Sequence, residues 1–137
     1  MTESELYELE KQNIPGAYTR IETSISSGIF DVHLTTNCLG HWIENKIRRG
    51  NVIKVRGTQM VWGREQLLYG LPNLWFIVGT DKKLPPKLYR AAAILPRCDL
   101  NRTDGKGHIL VDISDLEPAA TGWAAISARL WGDRPGN

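Results

Sequence analysis

The chain has 137 residues, enough for one domain with a single substantial core. Hydrophobic residues make up 42% and charged residues 23%, the balance of a folded soluble protein, and no apolar run is long enough for a membrane helix. A net charge of +2 does not mark a nucleic-acid binder unless the positive charge gathers on one face. The acidic N-terminus does not read as a signal peptide, and two cysteines, Cys38 and Cys98, are too few for a disulfide scaffold. Free cytosolic thiols are the expectation.

Residues 2–13 read as a helix. Thr2 and Glu5 have capping-box spacing, Leu6 and Leu9 form a small apolar stripe, and Pro15-Gly16 ends it. Glu5, Glu8 and Glu10 are carried on this helix, where any of them could face a site or simply offset the helix dipole. Tyr18–Ser27 alternates poorly and fits a strand or a helix end. Two strand-like arms follow, Gly28–Leu34 and His41–Ile47, joined by a polar link over 35–40 with the Asn and Gly of a hairpin connection.

Beyond the hairpin, Arg48–Gly57 reads as a mobile loop or a frayed strand around Val52-Ile53. Thr58 then caps a helix to about Tyr69, with Met60, Trp62, Leu67 and Leu68 as candidate core contacts and Gly70 closing it. Asn73–Thr80 is a continuous apolar run, the pattern of a buried central strand. Lys82–Lys87 is a proline-bearing basic turn. Leu88–Leu95 fits an edge strand or a short helix, and Asn101–Gly107 is a turn-rich loop. His108–Ile113 reads as a strand. Ser114 and Glu117 open a final helix with Leu116, Ala120, Trp123, Ile126 or Ser127, and Leu130 on one face. The segment 98–137 holds no motif that assigns it a role, and repeats and low-complexity tracts are absent.

The hairpin concentrates the chemistry. Side chains alternate along a strand, so Glu44 and Lys46 share one face while Ile43, Asn45 and Ile47 share the other. Antiparallel pairing of the arms brings Asp31 beside Glu44 and Lys46. Two carboxylates and an ammonium then meet where an apolar strand expects a core, a costly arrangement unless a metal and a substrate phosphate join it. The bland alternative is an exposed i, i+2 ion pair on an edge strand. Between positions 46 and 64, Lys46, Arg48, Arg49, Lys54, Arg56 and Arg64 occur with no acid among them. Such a run is either a solvated loop or a contact for the DNA backbone.

Asp31 followed by Glu44-Asn45-Lys46 resembles the Asp…Glu-x-Lys signature of the PD-(D/E)XK nuclease superfamily. It is similar in particular to small phage-encoded VRR-NUC-type members related to Holliday-junction resolvases. That pattern runs Glu…Gly-x-Pro-Asp…Trp-Ile-Glu-x-Lys…Gln, and Glu22, Gly28, Asp31, Trp42-Ile43-Glu44-Asn45-Lys46 and Gln59 stand in that order over about residues 18–80. Phe30 departs from it, standing where the family has a structural Pro.

The resemblance implies an α/β restriction-endonuclease-like core with a central mixed sheet flanked by helices. It spans about 18–95 of a single domain, with 98–137 as an extension. It also implies a metal-dependent DNA endonuclease working in the cytoplasm of a bacterial or phage-infected cell. Asp31 and Glu44, with the main-chain carbonyl of Asn45, are then the protein's ligands to Mg²⁺, for which Mn²⁺ substitutes. Glu22 helps hold the metal or is a surface acid. Lys46 orients the attacking water or stabilises developing charge. Gln59 contacts phosphate or the Lys46 region, or is an ordinary polar residue at a helix N-terminus. Branched DNA as substrate requires two active sites at fixed spacing, hence a homodimer. A general or nicking nuclease, and a non-catalytic nucleic-acid-binding module, are the alternatives. His33 shares the Asp31 face as a structural or supporting histidine. His41, Cys38 and Cys98 lack the spacing of a zinc site.

Overall fold

A computed structural model describes residues 1–21, 28–81 and 83–132. Helix α1 (Glu3–Asn13) starts at the expected capping box, with the Glu5 N–H donating to Thr2 Oγ1 at 3.1 Å and the Thr2 N–H to Glu5 Oε1 at 3.2 Å. Strand β1 (Ala17–Arg20) pairs antiparallel with β2 (Val32–Thr36), and β2 with β3 (Leu39–Ile47). Pairing runs to Thr36 opposite Leu39. The hairpin therefore turns on Asn37-Cys38 alone, both at positive φ, and is tighter than the six-residue link read from the sequence. Residues 22–27 of the expected Tyr18–Ser27 element lie outside the described residues.

Of the two alternatives for residues 48–57 the strand is realised, as β4 (Val52–Arg56), paired rather than frayed. Ile53 and Val55 point into the core while Lys54 and Arg56 point out, and the strand pairs antiparallel with β7 (His108–Asp112), whose Ile109 and Val111 alternate likewise. The partner is remote in sequence, so nothing local announces the pairing. β4 runs straight into α2 (Gly57–Leu68) with Arg56, not Thr58, at the N-cap, and Gly70 takes a left-handed conformation just past its end. Leu68, expected in the core, is 78% exposed.

All six residues of β5 (Leu74–Gly79) are buried. It lies parallel to β3 and antiparallel to β6 (Lys87–Arg90), which passes directly into the single turn α3 (Ala91–Ile94) and a 3₁₀ turn over Leu95–Arg97. A strand and a short helix are thus realised in succession over residues 88–95, and the strand, flanked by β5 and by Ala120–Thr121, is not the expected edge. The final helix, α4 (Trp123–Trp131), starts later than Ser114. Pro118 and Gly122 interrupt the helical pattern, and β8 (Ala120–Thr121) pairs with β6 instead. The main sheet has the order β1-β2-β3-β5-β6-β8, and β4-β7 forms a second, two-stranded sheet.

Alternation along β5 divides the core. Leu74, Phe76 and Val78 pack toward α2, α3 and the small sheet, together with Phe30, Ile53, Val55, Met60 and Ile109. Trp75 and Ile77 pack on the other side with Leu6 and Ile14, Ile43, and Ile126 and Leu130 of α4. Segment 98–132 thus contributes to both halves of the core. Buried His41 ties α4 down: its Nδ1 accepts from Trp75 Nε1–H (3.0 Å), so its Nε2–H is the nitrogen that donates to the Leu130 carbonyl (2.7 Å). Burial lowers its pKa, and the ring is neutral.

Candidate functional site

β3 carries the site on its even face. Trp42 packs toward the α2 side, and Glu44 and Lys46 follow it beyond the aromatic cluster, while Ile43 packs beneath. One step past the β2–β3 ladder, the Asp31 N–H donates to Glu44 Oε1 at 3.1 Å. Lys46 Nζ lies 3.5 Å from Glu44 Oε2 and 2.9 Å from Gln59 Oε1. Gln59 Oε1 also accepts the Arg56 N–H at 3.1 Å, which satisfies a donor at the start of α2. The hairpin and the helix start are joined through this one side chain. Gln59 is fully buried, and its Nε2 has no hydrogen-bond partner among the described residues.

Asp31, Glu44 and Lys46 line a cleft of about 490 Å³ whose other walls are Glu3, Arg20, Ile21, Arg56 and His108. Its lining is mostly charged. A second cleft adjoins it, sharing Glu3, Lys46 and His108 and adding Arg49 and Lys54.

Glu44 is 1% exposed. Burial pushes its carboxyl up to about 7, Asp31 and Glu3 push the same way, and Lys46 and the Asp31 N–H only partly oppose them. Ionised Glu44 is therefore costly, chiefly through burial and further through Asp31 and Glu3. A divalent cation offsets that cost, and carboxylate oxygen suits a hard ion. Among the described residues no three His, Cys, Asp or Glu side chains cluster as a ready-made metal cage. Asp31 and Glu44 are the two carboxylates of the cleft floor that could serve a hard, water-keeping cation.

Of the sequence-predicted residues, Asp31, Glu44, Lys46 and Gln59 come together, with Arg56 on the same cleft and Arg49 and Lys54 on its neighbour. Others go elsewhere. The Asn45 side chain faces α1, where its Nδ2–H donates to Glu10 Oε2 at 3.4 Å, so only its main chain remains beside Glu44 and Lys46. Arg48 lines a separate pocket with Tyr89 and Lys87. Arg64 is used structurally, donating to the Leu95 and Cys98 carbonyls at 2.9 Å each. Glu22 lies outside the described residues. His33 stacks edge-on against Trp42 at 4.9 Å, a packing role.

Three cleft residues escaped the sequence reading. Glu3 is the helix acid at the site, 4.0 Å from Lys46 Nζ, whereas Glu5 caps, Glu8 pairs with Lys11 and Glu10 is buried on the opposite side of β3. An acid in a first helical turn looks like dipole compensation, which concealed Glu3. Arg20 and His108 come from β1 and β7, whose pairing partners no local pattern specifies.

A Holliday junction resolvase from the archaeal hyperthermophile Archaeoglobus fulgidus (Hjc) superposes on this structure. The TM-score is 0.50 with 15% identity, covering 81% of this chain and 84% of that one. The chain has that resolvase's fold. The expected α/β architecture, a central mixed sheet flanked by helices, is the one observed. No protein-family model matches the chain, and a comparison with curated proteins finds no match.

Proposed function

We propose that this protein is a metal-dependent DNA endonuclease of the PD-(D/E)XK type, selective for branched DNA and acting as a homodimer. The reading rests on one observation above all: buried Glu44 meets Asp31 and Lys46 at the floor of an open, charged cleft. A purely structural ion pair has no need of two carboxylates around one ammonium, with Asp31 adding to the cost of ionising Glu44. The fold shared with a junction resolvase supports the same reading.

Asp31 and Glu44, with the Asn45 carbonyl, would hold Mg²⁺, which when bound polarises a phosphate oxygen and acidifies a water. Lys46, fixed by Gln59 and Glu44, aims its ammonium into the cleft and stabilises charge building on the phosphoryl oxygens. Arg20 and Arg56 flank the reacting phosphate and position its neighbours. Glu3 and Glu44 orient Lys46 from two sides.

The test is incubation with four-way-junction, flap, duplex and single-stranded DNA, with Mg²⁺ or with EDTA. Cleavage of the junction that requires Mg²⁺ and disappears in Glu44→Gln is expected. Cleavage of every DNA alike leaves a general nuclease, and binding without cleavage leaves a binding module on a nuclease fold.

A further inference from the structure

The assignment above leaves His108 without a task, although it forms a wall of both clefts. It opens β7 directly opposite Arg56 of β4, and opposed residues of an antiparallel pair share a face. Its Nδ1 lies 2.9 Å from Asp104 Oδ2. Asp104 is itself fixed: it accepts the N–H of Lys106 at 2.7 Å and of His108 at 3.2 Å, and Lys54 Nζ stands 3.5 Å away. Gly105 and Gly107, both at left-handed φ, let the loop fold back to make these contacts. Partial desolvation raises the Asp104 carboxyl, but the backbone donors and the imidazole outweigh it and hold the group down at about 2. The carboxylate thus orients the ring through Nδ1–H, with Nε2 at the opposite edge of the ring.

We propose that His108 is a further catalytic residue, whose Nε2–H, oriented by Asp104, protonates the oxygen that leaves phosphorus in the cleft of Asp31, Glu44 and Lys46. This rests on the nuclease reading and adds the proton donor that reading lacks. Water forms the new bond to phosphorus, and the bond to the leaving oxygen breaks with its electron pair on that oxygen. The imidazolium proton transfers there, yielding an alcohol and a neutral ring. The proton shed by the attacking water passes to solvent, and solvent reprotonates His108. Asp104 remains ionised and holds Nδ1–H in place between turnovers.

The other cleft groups suit this step less well. Lys46 is held by Gln59, Glu44 and Glu3, and arginine does not release its proton. Histidine is the side chain built to exchange a proton near neutrality, and His108 is the histidine among the described residues of this cleft.

The test uses junction DNA with an ordinary scissile linkage, and the same DNA with sulfur replacing the leaving oxygen. A thiolate leaves without needing a proton. His108→Ala is expected to cleave the oxygen substrate about 10²–10⁴-fold more slowly than wild type. The sulfur substrate should be cut at nearly the wild-type rate, and the alkaline fall of the pH–rate profile should vanish. Asp104→Asn should show a smaller loss with the same rescue. His108→Gln repeats the measurement with a hydrogen-bonding side chain, and thermal melting checks that each variant is folded. Equal losses on both substrates, or a wild-type rate on oxygen, overturn the proposal. If Glu44→Gln leaves cleavage intact, or the wild type cuts no DNA, the nuclease reading itself fails and this inference with it. A Glu44-dependent activity indifferent to His108 retires only the proton donor.

Discussion

Glu10→Gln should stabilise the protein, increasingly so as pH rises. Glu10 is completely buried beneath β3, and burial, with a further push from Glu44, raises its carboxyl from 4.5 to about 8. Its Oε1 and the Oδ1 of Asn45 are both buried without a hydrogen-bond partner among the described residues. A proton on Glu10 gives the pair a donor, which the bare carboxylate cannot do. The folded-state pKa lies above the unfolded one, so the folded state retains the proton to higher pH. Stability from this group is therefore full below 4.5 and falls as pH rises toward 8. At about 1.4 kcal/mol per pH unit, that interval is worth at most about 5 kcal/mol. Gln keeps the shape, supplies the donor through its amide and cannot ionise. Urea denaturation in EDTA should find wild type and Glu10→Gln within about 1 kcal/mol at pH 5, and the variant several kcal/mol more stable at pH 8. A parallel pH dependence of the two proteins, or a loss of stability in the variant at pH 8, would refute the reasoning.

Mg²⁺ should raise the melting temperature of the wild type at pH 7.5 but not that of Asp31→Asn or Glu44→Gln, since a cation bound only by the folded state stabilises by mass action. Equal stabilisation of all three would place the ion elsewhere. Lys46→Ala should lower turnover by about 10²-fold or more while leaving that Mg²⁺ effect in place, because an ammonium is not a ligand; a wild-type rate would return Lys46 to a packing role. Replacing Arg20, Arg49 and Arg56 with alanine should reduce the slope of log affinity against log salt by about three on any DNA sequence. Arg64→Ala should leave that slope unchanged and cost about 1–2 kcal/mol of stability through its lost carbonyl contacts. Binding titrations across salt and melting curves separate the two effects.

The parts legible in the sequence were those in which one stretch carries its own instruction. Thr2 with Glu5 announced α1, and the apolar run at 74–79 announced the buried strand. The alternation of Ile43, Glu44, Asn45, Lys46 and Ile47 placed the acid and the ammonium on one face before any partner was known. What escaped depended on contacts between distant segments. β4 is a well-paired strand because β7 pairs with it, and in isolation its basic residues and neighbouring glycines leave a loop and a frayed strand both open. The 114–122 segment had caps and apolar spacing enough for a helix, but β6 offered an edge for Ala120-Thr121 to pair with. Arg64 looked like one more cation in a basic run, and only the fold puts the Leu95 and Cys98 carbonyls in its reach.

The two arms of the hairpin show why the chemistry and the packing are one constraint. A slip of one residue in the β2–β3 register would bring Glu44 and Lys46 to the side of α1 and α4, and Ile43 to the cleft. The slip is opposed from both faces: Ile43 is fully buried against the α1 side, while Trp42 is held by Trp62 and His33 on the other. Gly28 fixes the entry to the first arm. It stands at positive φ, and a Cβ there would collide with the Thr58 carbonyl at the start of α2. The same turn of α2 presents Gln59 to Lys46. Close approach of Gly28 to α2 therefore sets the position of Asp31 from one end while Gln59 sets that of Lys46 from the other. The carboxylate and the ammonium are brought to Glu44 by packing that has no charge of its own.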